Sequence, residues 1–171
     1  MSVLEEHGVS LDKLQEVRKS YEIASEVHKN QYRQSGEPYI IHPLHVAANL
    51  LMMEVYDADC ISAALLHDTI EDSEDNFSKE DVCRLINPTV AELVDGVTKM
   101  RRMNFSSKEN QNLANTRKIL SGLNKDVRII LIKLAERLHN MQTLQYKRPE
   151  KQVENAKETM ELFIPITLAN R

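Results

Sequence analysis

The 171-residue chain has no tryptophan, three phenylalanines, five tyrosines, four glycines and five prolines. Sheets favour aromatic and β-branched side chains and need frequent Gly/Pro turns, so these shortages point to an all-helical domain. Cysteine is equally scarce: Cys60 and Cys83 lie far apart with no CxxC pairing. That excludes a disulfide framework and reads as two small buried thiols. Apolar runs such as Ile129–Ile132 fall well short of the roughly 20 residues that cross a bilayer. The N-terminus, Met1-Ser-Val-Leu-Glu-Glu-His, lacks the basic-then-apolar order of a signal peptide, so a cytoplasmic protein with no membrane partner is expected. Nor is there a basic excess: 22 Lys+Arg against 26 Asp+Glu give a net charge of -4. Arg101-Arg102 reads as a solvated loop, and no nucleic-acid partner is expected. What is present, 42% hydrophobic and 28% charged residues, suits one globular domain over residues 1–171. At that length a chain buries roughly 70% of its unfolded surface and needs neither disulfide nor metal merely to fold.

Periodicity and capping signals divide the chain into helices. Ser10 can cap a helix from Leu11 to about Asn30, with Leu14, Val17, Tyr21, Ala24 and His28 at helical spacing. The polar stretch Arg33-Gln-Ser-Gly-Glu-Pro38 breaks that pattern and reads as a loop. Pro43 suits the first turn of a helix through Val46, Leu50 and Met53, with Leu51-Met52-Met53 as core packing. A third helix is expected from about Ala58 through Ile61, Ala64, Leu65 and Ile70. Ser78-Lys-Glu-Asp81 has capping-box form and opens a short helix to Ile86. Asn87-Pro88 opens another, to about Lys99. Residues 101–109 read as a mobile loop and 110–123 as helix. From Asp126 through Leu144, Ile129 to Ile132, Leu134, Ala135 and Leu138 wrap most of the circumference, which predicts the central buried helix. Pro149 opens a last helix, and the uncapped ending Pro165-Ile-Thr-Leu-Ala-Asn-Arg reads as fraying or as a domain continuing into a longer protein.

The most informative stretch is His67-Asp68-Thr-Ile-Glu71-Asp72. On a continuous helix His67 and Glu71 lie one turn apart, as do Asp68 and Asp72, so one face presents an imidazole and three carboxylates. Crowded carboxylates raise each other's proton affinity unless a cation neutralises them, and the apolar flanks Ala63 to Leu66 and Ile70 sharpen that demand. Adjacent His and Asp offer nitrogen and oxygen to a borderline divalent metal such as Mn, Fe, Zn or Ni. The plainer alternative is a solvated acidic helix end. His42, in Tyr-Ile-Ile-His-Pro, would alone read as a cap or core residue. Lys133, Glu136, Arg137, His139 and Asn140 are polar within an apolar helix. Glu136 shares a face with Asn140 and needs either a metal or a partner, Lys133 or Arg137.

Four ordered segments resemble the HD-domain metal phosphohydrolases, and more closely the hydrolase domain of the RelA/SpoT alarmone enzymes. They are Tyr32-Arg-Gln-Ser-Gly-Glu-Pro-Tyr-Ile-Ile-His-Pro43, Ala64-Leu-Leu-His-Asp-Thr-Ile-Glu-Asp72, Leu93-Val-Asp-Gly-Val-Thr-Lys99 and Ile130-Leu-Ile-Lys-Leu-Ala-Glu-Arg-Leu-His-Asn-Met141. The resemblance runs from about residue 15 to 171. It implies a compact all-α HD-domain fold, one divalent ion (usually Mn2+), and release of pyrophosphate from the 3′ position of (p)ppGpp in the stringent response. By position, His42, His67 and Asp68 resemble metal ligands, and Glu136 stands where the family has a fourth, an Asp. Glu71 and Asp72 resemble the acidic pair that positions or activates water. Arg33, Gln34, Ser35, Lys99, Asn140 and Thr143 match positions around the nucleotide, Arg33 suited to stack on guanine and Lys99 to offset phosphate charge.

Three departures stand out. Glu136 replaces Asp, moving the carboxylate about an ångström outward, and metal sites tolerate only small displacements. Gln34 and Gln142 stand where the family usually has Lys and Arg, each lost charge-assisted contact being worth about 1.5–3 kcal/mol. All three lean towards weakened hydrolysis. Two alternatives follow: a degenerate hydrolase domain with a regulatory, nucleotide-binding role, or an HD phosphohydrolase of another nucleotide. Ala169-Asn-Arg171 resembles a point where long members continue towards a synthetase domain; none lies in this chain, so synthesis of (p)ppGpp is not expected of it.

Overall fold

Four helices begin on a side-chain cap, whereas Ser10, the expected cap of the second helix, makes no such bond. The computed structural model describes residues 1–73, 77–102 and 126–164. Its helices are α1 (Ser2–Glu6), α2 (Leu11–Val27), α3 (Ile41–Met52), α4 (Ala58–Leu66), α5 (Thr69–Asp72), α6 (Lys79–Leu85), α7 (Pro88–Arg102), α8 (Val127–Gln142) and α9 (Pro149–Glu158). A 3-10 turn, Leu144–Tyr146, joins α8 to α9, which runs on into a π turn, Thr159–Phe163. Asp57 accepts from the backbone N–H of Cys60 at 2.7 Å, Asn87 from Val90 at 2.9 Å and Asp126 from Arg128 at 3.0 Å. Ser78 and Asp81 form the reciprocal capping box, satisfying donors that a helix start otherwise leaves orphaned. Among the described residues there is no strand beyond one isolated bridge, Tyr32 to Pro38, and no helix long and apolar enough to cross a membrane.

The helix buried on all sides is α4. Ala58 and Cys60 to Leu66 are all buried, and α4 packs against α2, α3, α7 and α8. Its small residues Ala58, Ser62, Ala63 and Ala64 let neighbours approach from every direction. The apolar α8 was the expected centre, but it buries one face only, on α3 and α7, and Leu138 is 41% exposed. The polar Glu136 and Asn140 line a cavity, and Arg137 packs over Phe163. Buried Asn49 of α3 donates to the Ala135 carbonyl of α8 at 3.0 Å, tying those helices together. Where α7 crosses α8, a Cβ on Gly96 would lie 2.3 Å from Ile129 Cδ1, so a larger residue would have to displace that side chain.

Several local readings are corrected. Met52 is 78% exposed and Met53 38%, because Met52 points away from the Val46–Leu50 stripe that faces the core and Met53 lies just past the end of the helix. Cys60 is buried but Cys83 is exposed, on the outer face of α6. Helix α7 continues through Arg101 and Arg102, which therefore belong to helix rather than loop. The loop read over 103–109, the helix over 110–123 and the chain end from 165 lie outside the described residues.

Candidate metal centre and substrate cavity

The expected continuous helix through His67 and Asp68 is broken there: α4 ends at Leu66 and α5 begins at Thr69. Side chains take the carbonyls that would have carried the helix on. His67 Nδ1 donates to Ala64 O at 2.8 Å and Thr69 Oγ1 to Leu66 O at 2.7 Å, a local competition that ends helices. The turn separates His67 from the register of Glu71, while Asp72 N–H still bonds Asp68 O at 3.0 Å. His67 and Asp68 thus face inward from a corner.

Opposite them, α3 brings His42. His42, His67 and Asp68 are all buried and each offers a ligand atom within 4.8 Å of the others. His42 Nε2 is 3.7 Å and His67 Nε2 3.2 Å from Asp68 Oδ2. A carbonyl can only accept, so Ala64 holds the His67 proton on Nδ1 and leaves the Nε2 lone pair inward. That Nε2 is buried without a hydrogen-bond partner. His42 Nδ1 meets His139 Nδ1 at 2.7 Å, a contact that holds one proton between two nitrogens. With that proton on His42, its Nε2 is likewise a lone pair aimed at Asp68. Tyr39 donates its hydroxyl to Asp68 Oδ2 at 2.7 Å. Two imidazole lone pairs and an oriented carboxylate in one buried pocket fit a divalent ion.

The electrostatics agree. Burial opposes charge on His67, but the Asp68 carboxylate, reinforced by Glu136, outweighs it and holds the imidazole above its ordinary pKa. Carboxylates here draw a cation to this point. His42 goes the other way, pushed down to about 2 by burial and then by the neighbouring His67. Burial, with Arg33 and His45 nearby, lowers His139 to about 4 and keeps it a neutral acceptor.

Glu136 is not one of this close group. Its Oε2 pairs with Lys133 Nζ at 2.6 Å and Asn140 Nδ2 approaches Oε1 at 3.5 Å. Burial would raise its carboxyl, yet Lys133 and His67 hold it below its ordinary value. It nonetheless lines the same cavity, of about 390 Å3, as His42 and Asp68. So do Arg33, Gln34, Ser35, Asn140 and Thr143 of the expected nucleotide set. The loop carrying the first three is a tight turn: Gly36 sits at φ 86° and donates to Arg33 O at 2.9 Å, a backbone conformation open to glycine. Arg33 Nη2 crosses to Thr143 Oγ1 at 3.3 Å.

Besides the buried His67, three expected residues are not on that wall. Glu71 and Asp72 sit half-buried on α5, and the Asp72 carbonyl accepts from Gln31 Nε2 at 2.8 Å. Lys99 is exposed on α7 and pairs with Asp95 at 2.7 Å. Conversely, sequence reasoning missed Tyr39, His139, Tyr146 and Lys147. A tyrosine three residues before a candidate ligand histidine was the one available signal, since a turn brings such residues together. His139 lies 97 positions from His42, and nothing local announces their meeting.

Residues 20–171 match the HD domain family. The chain is 43% identical over 155 residues to the bifunctional (p)ppGpp synthase/hydrolase SpoT of Escherichia coli K12, covering 91% of this chain and 22% of that protein. It is 44% identical over 153 residues to a guanosine-3′,5′-bis(diphosphate) 3′-pyrophosphohydrolase of Vibrio cholerae, covering 90% and 21%. The chain therefore spans about a fifth of the length of the curated relatives it matches. Among solved structures, it is similar to a metazoan ortholog of SpoT, described as hydrolysing ppGpp and acting in starvation responses. The TM-score is 0.64 and the identity 28%, over 85% of this chain and 79% of that one.

Proposed function

Because this chain belongs to the HD domain family, we propose that it is a metal-dependent phosphohydrolase that removes pyrophosphate from the 3′ position of (p)ppGpp. It acts in the cytoplasm as one hydrolase-like unit over residues 1–171, with Mn2+ as its ion. The observation that carries this reading is the buried His42–His67–Asp68 group opening on a cavity whose rim is Arg33, Asn140 and Thr143. A His-His-Asp trio alone could hold a cation; a nucleotide polyphosphate also needs that polar, partly cationic rim.

In this reading His42, His67 and Asp68 hold the ion, with Glu136 as fourth ligand once it leaves Lys133. When bound, the ion lowers the pKa of a ligated water and offsets phosphate charge. The chain's own groups do the rest. Ala64 and His139 keep both imidazoles in the tautomer whose Nε2 is free to ligate, and Tyr39 fixes the Asp68 carboxylate. Glu71 and Asp72 orient the attacking water and accept its proton. Arg33 stacks on the base, while Gln34, Ser35, Asn140 and Thr143 supply hydrogen bonds; Lys99 reaches substrate only by leaving Asp95. The Lys133–Glu136 pair favours a second reading, a regulatory domain that binds nucleotide without turnover.

The test is purified protein with ppGpp and Mn2+, following GDP and pyrophosphate by ion-exchange chromatography, with Asp68→Asn as control. Product that vanishes in the control supports the hydrolase. Folded protein giving no product at saturating metal sinks it. If Glu136→Asp then restores turnover, the pocket is sound and only the ligand was blunted.

A further inference from the structure

Of the cations lining the cavity, Lys147 is the one to which this mechanism gives no part. It follows the 3-10 turn after α8 and is half-buried. Its Nζ donates to Asn155 Oδ1 at 3.3 Å, and among the described residues no carboxylate lies within ion-pair reach. The neighbouring acids are already committed: Glu136 to Lys133 and Glu158 to Arg137, each at 2.6 Å. Elsewhere Lys13, Lys29, Lys79, Lys99, Lys133 and Lys151 all have carboxylate partners. Arg33, on the same cavity, resembles Lys147 in this respect: it donates to the neutral Thr143 hydroxyl.

Arg33 and Lys147 thus face one cavity without a direct ion pair among the described residues. Burial, then the nearby Arg137 and Arg33 guanidiniums, lower the Lys147 pKa, outweighing the opposite pull of the Glu136 and Glu158 carboxylates. A partly buried ammonium among like charges is costly unless an anion joins it. The ligand atoms of His42 and Asp68 lie on the α3–α4 side, whereas Lys147 belongs to the α8–α9 connection. A substrate phosphorylated at both ends would set one anionic group on each.

We infer that Lys147, across the cavity from the base on which Arg33 stacks, is an anion subsite that takes the 5′-phosphates of the nucleotide while its 3′-pyrophosphate lies at His42, His67 and Asp68. This rests on the function proposed above and makes Lys147 a specificity-determining residue. It supplies the positive charge expected of Lys99, which the fold spends on Asp95.

Calorimetric titration of EDTA-treated protein, where no turnover runs, tests it with two probes: ppGpp, and guanosine 3′-diphosphate, which lacks 5′-phosphates. Lys147→Met should weaken ppGpp binding about tenfold or more, the loss of one charge-assisted contact. Lys147→Arg should recover most of it, and guanosine 3′-diphosphate should bind Lys147→Met and the parent alike. Lys147→Gln, with its shorter polar stem, should repeat the ppGpp loss and stands in if the methionine variant folds poorly. Equal weakening of both nucleotides, or none of either, overturns the subsite while leaving the hydrolase reading intact. A parent chain that binds neither nucleotide even after Mn2+ is restored overturns both.

Discussion

Two polar clusters of this bundle use similar residues and differ in whether the chain satisfies them. Where α2, α4 and α7 meet, Lys13 pairs with Glu16 and Asp59, each at 2.8 Å, and Asn87 donates to the same two carboxylates at 2.7 and 3.0 Å. Every charge there has an opposite within the chain. At the corner between α4 and α5, His67 Nε2 is buried without a hydrogen bond, and Arg33 and Lys147 face the adjoining cavity without an ion pair of their own among the described residues. The first cluster is complete and holds helices together; the second is incomplete in both signs, which is what the proposed binding of a metal cation and a phosphorylated anion requires. Burial alone does not separate structure from function. Unmet valence does.

The sharpest way to break this contrast is Asp68→Asn, which removes the carboxylate while keeping its shape. Hydrolysis should fall on the order of a thousandfold, since a catalytic metal supplies several kcal/mol, and Mn2+ titration should show the lost binding. Retained metal affinity would place the centre elsewhere. Next comes Tyr39→Phe, which deletes only the hydroxyl on Asp68. It should cost about 10–100-fold in metal affinity, the usual effect of a residue that orients a ligand, with little change in melting temperature.

The complete cluster should respond in the opposite manner. Asn87→Ala removes a helix cap and two bonds to carboxylates, so urea unfolding should show a loss of about 1–3 kcal/mol. Hydrolysis per folded molecule should stay at the parent value. The smallest effect is expected at Asp126, which caps α8 and is gripped by Arg128 at 2.6 Å. That hydrogen bond holds the carboxyl below its ordinary pKa. Its stability is therefore present above the unfolded value near 4 and lost as pH falls through the folded one. Asp126→Ala should cost about 1 kcal/mol at neutral pH, and the gap from the parent should close below about pH 4. A gap that persists in acid would show the cap to be steric rather than ionic.

Much of this was legible locally. The shortage of aromatics and glycine announced helices, Ser78–Asp81 and Asn87-Pro88 announced where they start, and His42, His67 and Asp68 announced a metal. These signals act within about four residues along the chain, the reach of a helical hydrogen bond. Tertiary structure decided what depends on distant partners. The helix breaks at His67 because His67 and Thr69 find nearer carbonyls than the next turn offers. His139 sets the His42 tautomer from across the bundle. Lys99 lies in a recognisable segment yet is spent on Asp95, whereas Lys147, in no segment that drew notice, faces the cavity. Residue type and spacing determined which chemistry the chain could hold. Only packing decided which charges were cancelled from within and which were left for a ligand.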